Sequence, residues 1–162
     1  MNNKVKNILI LLIISLTVIS CKGIYEDITE LSADYKQDVK SITVSDLKAK
    51  TEKGENFVLI DVRQPGDYST ENIPGSVLIP RGLLEFKISS EKFWTEQYMY
   101  PPEKDTEIIL YCKGGNRGII AAISLMQLGY TNVKNLEGGY DAYNPNQDPN
   151  AKPKASSGGC GG

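Results

Sequence analysis

Residues 107–129 have the sequence EIILYCKGGNRGIIAAISLMQLG, and this stretch decides which fold the chain can adopt. Residues 107–111 are largely apolar and rich in isoleucine, which predicts a strand buried on both faces. Residues 117–128 carry apolar side chains on broad helical faces and end at Gly129, so a helix is expected there. A buried strand that leads through a short loop into a helix is typical of an α/β fold built on a parallel sheet.

The rest of the chain repeats this alternation of strands and helices. Ser45 and Asp46 resemble a helix cap, and Gly54 is a plausible end of the helix that follows. Further strands are predicted at residues 42–44, 57–62, 76–79 and 133–136, and helical turns at residues 83–97. A chain of 162 residues with this pattern fits one α/β domain with appended ends.

The loop between the strand and the helix places a thiol where α/β proteins bind their ligands. Cys112 lies at the carboxyl end of the strand, beside the crevice of an open α/β sheet. The backbone N–H groups after it are expected to form an anion-binding nest at the start of the helix, and they belong to Lys113, Gly114, Gly115, Asn116, Arg117 and Gly118. Gly114 and Gly115 are expected to adopt positive φ, and Arg117 adds a fixed positive charge. The alternative is that Cys112 is a small buried apolar side chain.

The composition excludes several kinds of site. The chain has no histidine, which excludes Ser-His-Asp and Cys-His catalysis and histidine-based metal sites. We expect no metal and no cofactor. The formal net charge is −2 and no basic cluster occurs, so no nucleic-acid partner is expected.

The spacing of the loop separates two kinds of thiolate chemistry. Protein tyrosine phosphatases have a C-x5-R loop around a tetrahedral oxyanion, whereas here four residues separate Cys112 from Arg117. A smaller ring suits one additional sulfur atom better than a phosphoryl group. The spacing and the sequence CKGGNR resemble the active-site loop of the rhodanese family of sulfurtransferases.

The resemblance to the rhodanese family covers residues 42–143. It includes LIDVR at 59–63, DYSTENIPGSVLIP at 67–80 and NLEGGYDAY at 135–143, although Gly118 stands where serine is common in the family. It implies an open parallel sheet of about five strands with helices on both faces. It also implies that Cys112 takes a sulfane sulfur from a small anionic donor such as thiosulfate, forms a persulfide and passes the sulfur to a thiol or cyanide. The alternatives are a non-catalytic rhodanese-like binding module and a thiol–disulfide redox protein.

Three charged residues outside the loop are candidates for supporting roles. Asp61 and Arg63 follow a buried strand, and a buried ion pair that braces the sheet is the favoured interpretation. Arg81 follows the next strand, and Lys113 lies at the mouth of the loop. Both could attract anionic donors, or they could be solvated charges only.

The first 20 residues are predicted to be a signal peptide. Lys4 and Lys6 precede a 12-residue apolar run, which is shorter than the roughly 20 residues that span a bilayer. Residues 18–21, VISC, resemble the lipobox of bacterial lipoproteins, which implies cleavage before Cys21 and a lipid on that residue. The alternative is a plain signal peptide or an anchor. Either way an extracytoplasmic protein is expected, and the lipobox implies a membrane-anchored lipoprotein that faces the periplasm or the cell surface.

Both ends of the mature chain are predicted to lie outside the domain. Residues 21–41 are polar, which favours a tether, although residues 28–39 could form a partial helix. Residues 144–162 are rich in proline and glycine, which predicts a disordered tail. Cys160 in this tail could accept sulfur from Cys112 or form a disulfide with it, or it could be an inert thiol.

Overall fold

The computed structural model describes residues 23–148 of the chain. The predicted signal peptide at 1–20, the lipidation site Cys21 and the terminal Cys160 lie outside these residues, so their roles stay predictions. Among residues 23–148, no helix is both long and apolar enough to cross a membrane.

Strands and helices alternate along the described residues. The helices are α1 Ile28–Tyr35, α2 Val44–Glu52, α3 Pro65–Thr70, α4 Leu84–Lys87, α5 Glu91–Glu96, α6 Asn116–Gln127 and α7 Gly139–Tyr143. The strands are β1 Lys40–Ile42, β2 Val58–Asp61, β3 Val77–Leu78, β4 Ile108–Tyr111 and β5 Val133–Leu136. Short 3₁₀ turns occupy Lys36–Asp38 and Arg81–Leu83.

The five strands form one sheet in the order β1-β5-β4-β2-β3, and all of their pairings are parallel. The interior strands β2 and β4 are buried along their whole length, as their apolar sequences predict. Two clusters of buried side chains cover the two faces of the sheet. Ile119 of α6 belongs to one cluster, and Leu47 of α2 belongs to the other. The predicted α/β fold with a parallel sheet and helices on both faces is therefore confirmed.

The N-terminal part of the domain corrects the sequence prediction. Residues 28–41 do not form a tether, because α1 packs against α6 and β1 pairs with β5 at the edge of the sheet. Asp27 caps α1 by accepting hydrogen bonds from the N–H groups of Thr29 and Glu30. Between these elements, Val39 is buried in the core. The domain therefore begins near residue 28, and only the partial helix was anticipated.

The sequence prediction also missed two short helices and misplaced the C-terminal boundary. Helix α3 lies in a segment interpreted as turns, and α7 follows the last strand. After α7, the Asn144 side chain donates a hydrogen bond to Glu71 (2.9 Å), and the Gln147 side chain donates one to Asp141 (2.6 Å). Residues 144–147 therefore pack on the domain, whereas the tail from residue 149 onward lies outside the described residues.

Candidate active site

The loop after β4 holds the Cys112 thiol in place with a backbone hydrogen bond. Cys112 is only 2% exposed, and the Gly115 N–H group donates a hydrogen bond to its Sγ atom at 3.1 Å. This turn requires a φ of +100° at Gly115, in the region that favours glycine. Gly114 does not have positive φ, so that part of the prediction is wrong. The hydrogen bond fixes the position of the sulfur atom at the start of the following helix.

Helix α6 begins directly behind the thiol. Its 12 residues start at Asn116, and no side chain caps its first turn. The N-terminus of a helix carries partial positive charge and unpaired N–H groups, so it attracts an anion held in the loop. Arg117 is half-buried in this first turn, and its guanidinium makes no hydrogen bond or ion pair with any of residues 23–148. The structure thus places the thiol beside the N-terminus of α6, and Arg117 belongs to the first turn of this helix.

Helix α7 fixes the backbone of the loop from outside. The N–H groups of Tyr140 and Asp141 donate hydrogen bonds to the carbonyl oxygens of Cys112 (2.8 Å) and Lys113 (3.0 Å). A Cβ atom at Gly139 would overlap with both carbonyl oxygens, and the φ of Gly139 is +59°. The close approach of α7 to the loop therefore requires glycine at this position.

A buried ion pair lies on the sheet face opposite α6. The Arg63 side chain donates hydrogen bonds from Nε and Nη2 to Asp61 (2.7–3.1 Å), and Nη2 also donates to the Glu71 carbonyl oxygen (2.7 Å). Asp61 is fully buried and Arg63 is 4% exposed. Burial alone lowers the pKa of Arg63, but the hydrogen bonds to Asp61 and its charge outweigh burial and raise it. This arrangement is the brace that the sequence predicts.

Two tyrosine rings enclose the Arg63 guanidinium. Its central carbon lies 4.2 Å from the ring centroid of Tyr140 and 5.5 Å from that of Tyr111, within the range of cation–π attraction. The Tyr111 hydroxyl accepts a hydrogen bond from the Ile73 N–H group (3.2 Å) and shares one with Ser76 (2.9 Å). Burial and the charge of Asp61 raise the pKa of Tyr111. This cluster is therefore held in one arrangement at the ends of β2 and β4.

Arg81 does not contact the loop. Its guanidinium donates hydrogen bonds to Glu85 (2.7 Å) and to the Ser124 hydroxyl in the second half of α6 (2.7 Å). Both contacts are structural, because they tie the turn after β3 to α6. Lys113, in contrast, is exposed next to the thiol, so it remains available to an approaching anion.

Comparison with known proteins identifies the arrangement of the strand, loop and helix. A family model described as "Rhodanese-like domain" matches residues 43–146. The chain belongs to the rhodanese-like family. The matched residues include the loop, the ion pair and α7, so the family assignment rests on the site as well as on the fold.

Three relatives of this rhodanese-like chain carry sulfurtransferase names. A sulfurtransferase of Allochromatium vinosum is 30% identical over 105 residues, which cover 65% of this chain and 88% of the relative. The thiosulfate:glutathione sulfurtransferase of Saccharomyces cerevisiae is 31% identical over 108 residues, covering 65% and 78%. The structure of a human single-domain sulfurtransferase has a TM-score of 0.61 at 26% identity, covering 68% and 99%. These similarities support sulfurtransferase activity in general.

The rhodanese-like loop has an unusual neighbour at Gly118. Asn135 of β5 is 3% exposed, and its Oδ1 atom has no hydrogen-bond partner among residues 23–148. A Cβ atom at Gly118 would overlap with this oxygen, so the Asn135 amide occupies the space that a side chain at position 118 would need. Glycine at position 118 therefore has two consequences. It lacks the hydroxyl group that a serine would supply, and it leaves space for the buried Asn135 amide beneath the loop.

Sequence reasoning missed Tyr140, Asn135 and Gly139 as parts of the site. The Gly138-Gly139 pair after a strand was a usable signal, because paired glycines often mark a close approach of two backbone segments. Asn135 also gave a signal, because it is a polar residue at an inward position of a buried strand. No local signal indicated that its amide lies against Gly118.

Proposed function

We propose that this rhodanese-like protein is a sulfurtransferase that moves a sulfane sulfur from a donor such as thiosulfate, through a Cys112 persulfide, to a thiol. The observation that carries the proposal is the Cys112 Sγ atom, which accepts the Gly115 N–H hydrogen bond in front of an uncapped helix N-terminus. A non-catalytic binding module has no need of a thiol in this position. The sulfurtransferase names of the relatives agree with the proposal.

The proposed reaction has two nucleophilic steps. In the first, the Cys112 thiolate attacks the outer sulfur of thiosulfate, a sulfur–sulfur bond forms, the bond within thiosulfate breaks, and sulfite leaves with the electron pair. In the second, the thiolate of an acceptor attacks the outer sulfur of the persulfide. The new acceptor–sulfur bond forms while the Cys112–sulfur bond breaks, and the Cys112 thiolate is regenerated. Neither step needs an external oxidant or reductant.

The surroundings of the thiol suit the charge that moves in both steps. Negative charge resides on the Cys112 sulfur before the first step and on the outer sulfur of the persulfide after it. Backbone N–H groups and the N-terminus of α6 stabilise such charge without moving, which makes them effective in a site that excludes water. Arg117 lies in the same turn and adds an attractive charge for an anionic donor.

Intact-protein mass spectrometry after treatment with thiosulfate tests this function. We expect a gain of about 32 Da, one sulfur atom, that is absent in Cys112→Ser and disappears when a thiol is added. Cys160→Ser is the matched control, and it should still gain the sulfur. A loss of two hydrogens under mild oxidant, without any sulfur gain, would instead indicate a thiol–disulfide protein. If the mass did not change under either condition, the protein would be a non-catalytic binding module.

A further inference from the structure

Glu71, which follows α3, is connected to the active-site loop through Tyr140 of α7. The Tyr140 hydroxyl donates a hydrogen bond to Glu71 Oε2 (2.9 Å), and the backbone N–H group of the same tyrosine donates to the Cys112 carbonyl oxygen (2.8 Å). Tyr140 is only 4% exposed, and the Asn144 side chain donates a second hydrogen bond to Glu71 Oε2 (2.9 Å). One residue of α7 therefore joins the Glu71 carboxylate to the loop that carries the thiol. The mechanism proposed above does not use this carboxylate.

The buried ion pair supports both partners of the hydrogen bond between Tyr140 and Glu71. Arg63 Nη2 donates to the Glu71 carbonyl oxygen (2.7 Å), while the same nitrogen is bound to Asp61. The central carbon of the guanidinium also lies 4.2 Å from the ring centroid of Tyr140. Burial raises the pKa of Tyr140, and the hydrogen bond to Glu71 raises it further, so the hydroxyl stays protonated and donates at neutral pH. The carboxylate and the tyrosine are therefore held against each other by a fixed support.

Helix α7 sets the direction of two N–H groups in the loop. The carbonyl oxygen and the N–H group of a trans peptide unit point in opposite directions, because the unit is planar. Helix α7 binds the carbonyl oxygens of Cys112 and Lys113, so the N–H groups of the same two peptide units, which belong to Lys113 and Gly114, point away from α7. Neither N–H group makes a hydrogen bond with any of residues 23–148, so both are open donors next to the thiol in the chain. A rotated peptide unit would present a carbonyl oxygen to the sulfur in place of a donor.

We propose that Glu71 is a positioning residue for the sulfur-transfer reaction and that it acts through Tyr140. Its carboxylate holds the tyrosine hydroxyl, α7 stays in place against the loop, and the N–H groups of Lys113 and Gly114 keep their direction toward the sulfur that carries the negative charge. This inference rests on the proposed sulfurtransferase function and adds to it a residue outside the loop. The role requires an acceptor atom at Glu71 and does not require its charge.

The charge of Glu71 by itself predicts the opposite effect on the rate. Glu71 and Lys113 line the same cavity of about 240 Å³, so a negative charge there disfavours the approach of an anionic donor such as thiosulfate. Removal of the charge alone should speed up persulfide formation, whereas loss of the acceptor for Tyr140 should slow it. Glutamine separates the two effects, because its amide is uncharged but keeps an acceptor oxygen.

Rapid-quench mass measurements of persulfide formation in the full-length protein test the role of Glu71. At saturating thiosulfate, Glu71→Ala should reduce the rate constant about tenfold, because a small displacement of reacting groups has a large effect on rate. The half-saturating concentration of thiosulfate should not rise. Glu71→Gln should stay within about twofold of the unmodified protein, because the acceptor oxygen remains. Glu96→Ala removes a carboxylate from an exposed position in α5 and serves as the control.

Two kinetic results would overturn the proposal. Equal rate constants in Glu71→Ala and Glu96→Ala would show that the carboxylate has no role in the reaction. A rate constant in Glu71→Gln as low as that in Glu71→Ala would show that an acceptor oxygen at this position is not what the loop requires.

A double-mutant cycle tests whether Glu71 acts through Tyr140. Tyr140→Phe removes the hydroxyl but keeps the ring beside Arg63, so it should slow persulfide formation as much as Glu71→Ala does. The double variant Glu71→Ala/Tyr140→Phe should be no slower than either single variant, because both substitutions break the same hydrogen bond. Reductions that multiply, to about a hundredfold together, would show that the two residues act independently and would contradict the proposal.

NMR spectra separate failure of this inference from failure of the function. The Gly115 N–H signal reports the hydrogen bond to Cys112 Sγ, so it should shift in Glu71→Ala and Tyr140→Phe but not in Glu71→Gln. Urea unfolding checks that each variant is folded under the conditions of the rate measurements. If the unmodified protein gains a sulfur but the Gly115 signal does not shift in these two variants, the positioning role is wrong and the function stands. If the unmodified protein gains no sulfur, the function fails, and the Gly115 signal still decides whether Glu71 positions the loop.

Discussion

The two faces of the sheet present different polar side chains to the active-site loop. On one face, Asp61 and Arg63 are buried together, and every oxygen of the Asp61 carboxylate accepts a hydrogen bond from Arg63. On the other face, Asn135 is equally buried, but its Oδ1 atom lies against Gly118 without a hydrogen-bond partner among residues 23–148. Opposite charges hold the side chains in place on the first face, whereas close packing holds them in place on the second, which we call the charged face and the face that is fixed by shape.

This difference determines how each face responds to a substitution. Removal of one member of a buried ion pair leaves an uncompensated charge, and the energetic cost is large because the interior solvates charge poorly. An added side chain at a closely packed position costs less, because neighbouring atoms shift or change rotamer. The two faces therefore differ in the size of the expected effects and in the kind of second substitution that reverses them.

The largest effect on stability is expected when the ion pair on the charged face is disrupted. Asp61→Ala should lower the free energy of unfolding by about 3–5 kcal/mol, because the buried Arg63 guanidinium loses its counter-ion. Urea unfolding at pH 7, followed by circular dichroism, measures this change. The control is the double variant Asp61→Leu/Arg63→Met, in which apolar side chains replace both charges and much of the stability should return. A loss below about 1 kcal/mol in Asp61→Ala would show that the pair behaves like a surface salt bridge.

A smaller effect is expected on the face that is fixed by shape. Gly118→Ser should lower the free energy of unfolding by about 1–3 kcal/mol and reduce the rate of persulfide formation, because its side chain collides with the Asn135 amide beneath the loop. The double variant Gly118→Ser/Asn135→Ala removes the collision and should recover both quantities in urea unfolding and rapid-quench mass measurements.

A matched glycine distinguishes the collision from a general effect of serine. Gly82 has no atom within 4 Å of where a Cβ atom would lie and does not have positive φ, so Gly82→Ser should change stability little. If Gly118→Ser is as mild as Gly82→Ser, or if Asn135→Ala fails to relieve it, packing against Asn135 does not explain the glycine.

The sequence predicted the charged face better than the face that is fixed by shape. The pairing of Asp61 with Arg63 follows from two opposite charges at the end of a buried strand, because such charges need each other. The contact of Gly118 with Asn135 depends on how α6 packs over β5, and no pattern within either segment carries that information. The loop itself was predictable, since a strand, a cysteine, glycines and a helix are neighbours in sequence.

The edge of the domain was predictable only in part, for a similar reason. Helix α1 has a polar composition, and its fit to the fold comes from packing on α6 and from the short strand β1 that follows it. A polar segment of this kind resembles a tether when it is considered alone. The cap at Asp27 was the local sign of a helix start.

The smallest effect is expected for charges at the opposite end of β4, where solvent reaches them. Glu107 precedes β4 and lies between Lys50 (3.1 Å) and Lys134 (2.8 Å). Partial burial raises the pKa of Glu107, but the two ammonium groups outweigh burial and lower it from its ordinary value of 4.5. A lowered pKa in the folded state means that this stabilisation is complete above pH 4.5 and is lost as the pH falls through the folded-state pKa.

Glu107→Gln should therefore lower the free energy of unfolding at pH 7 by at most about 1 kcal/mol, as expected for a partly exposed ion pair. The difference between the variant and the unmodified protein should shrink as the pH falls below 4.5, because protonated Glu107 and glutamine are then equivalent. Urea unfolding at pH 7, 4.5 and 3 measures this, and Glu96→Gln on an exposed helix face serves as the control. A loss of unfolding free energy in Glu107→Gln as large as that in Asp61→Ala would contradict this prediction, because it would show that solvent exposure does not weaken ion pairs in this fold. The contrast between the two faces of the sheet would then depend on packing alone.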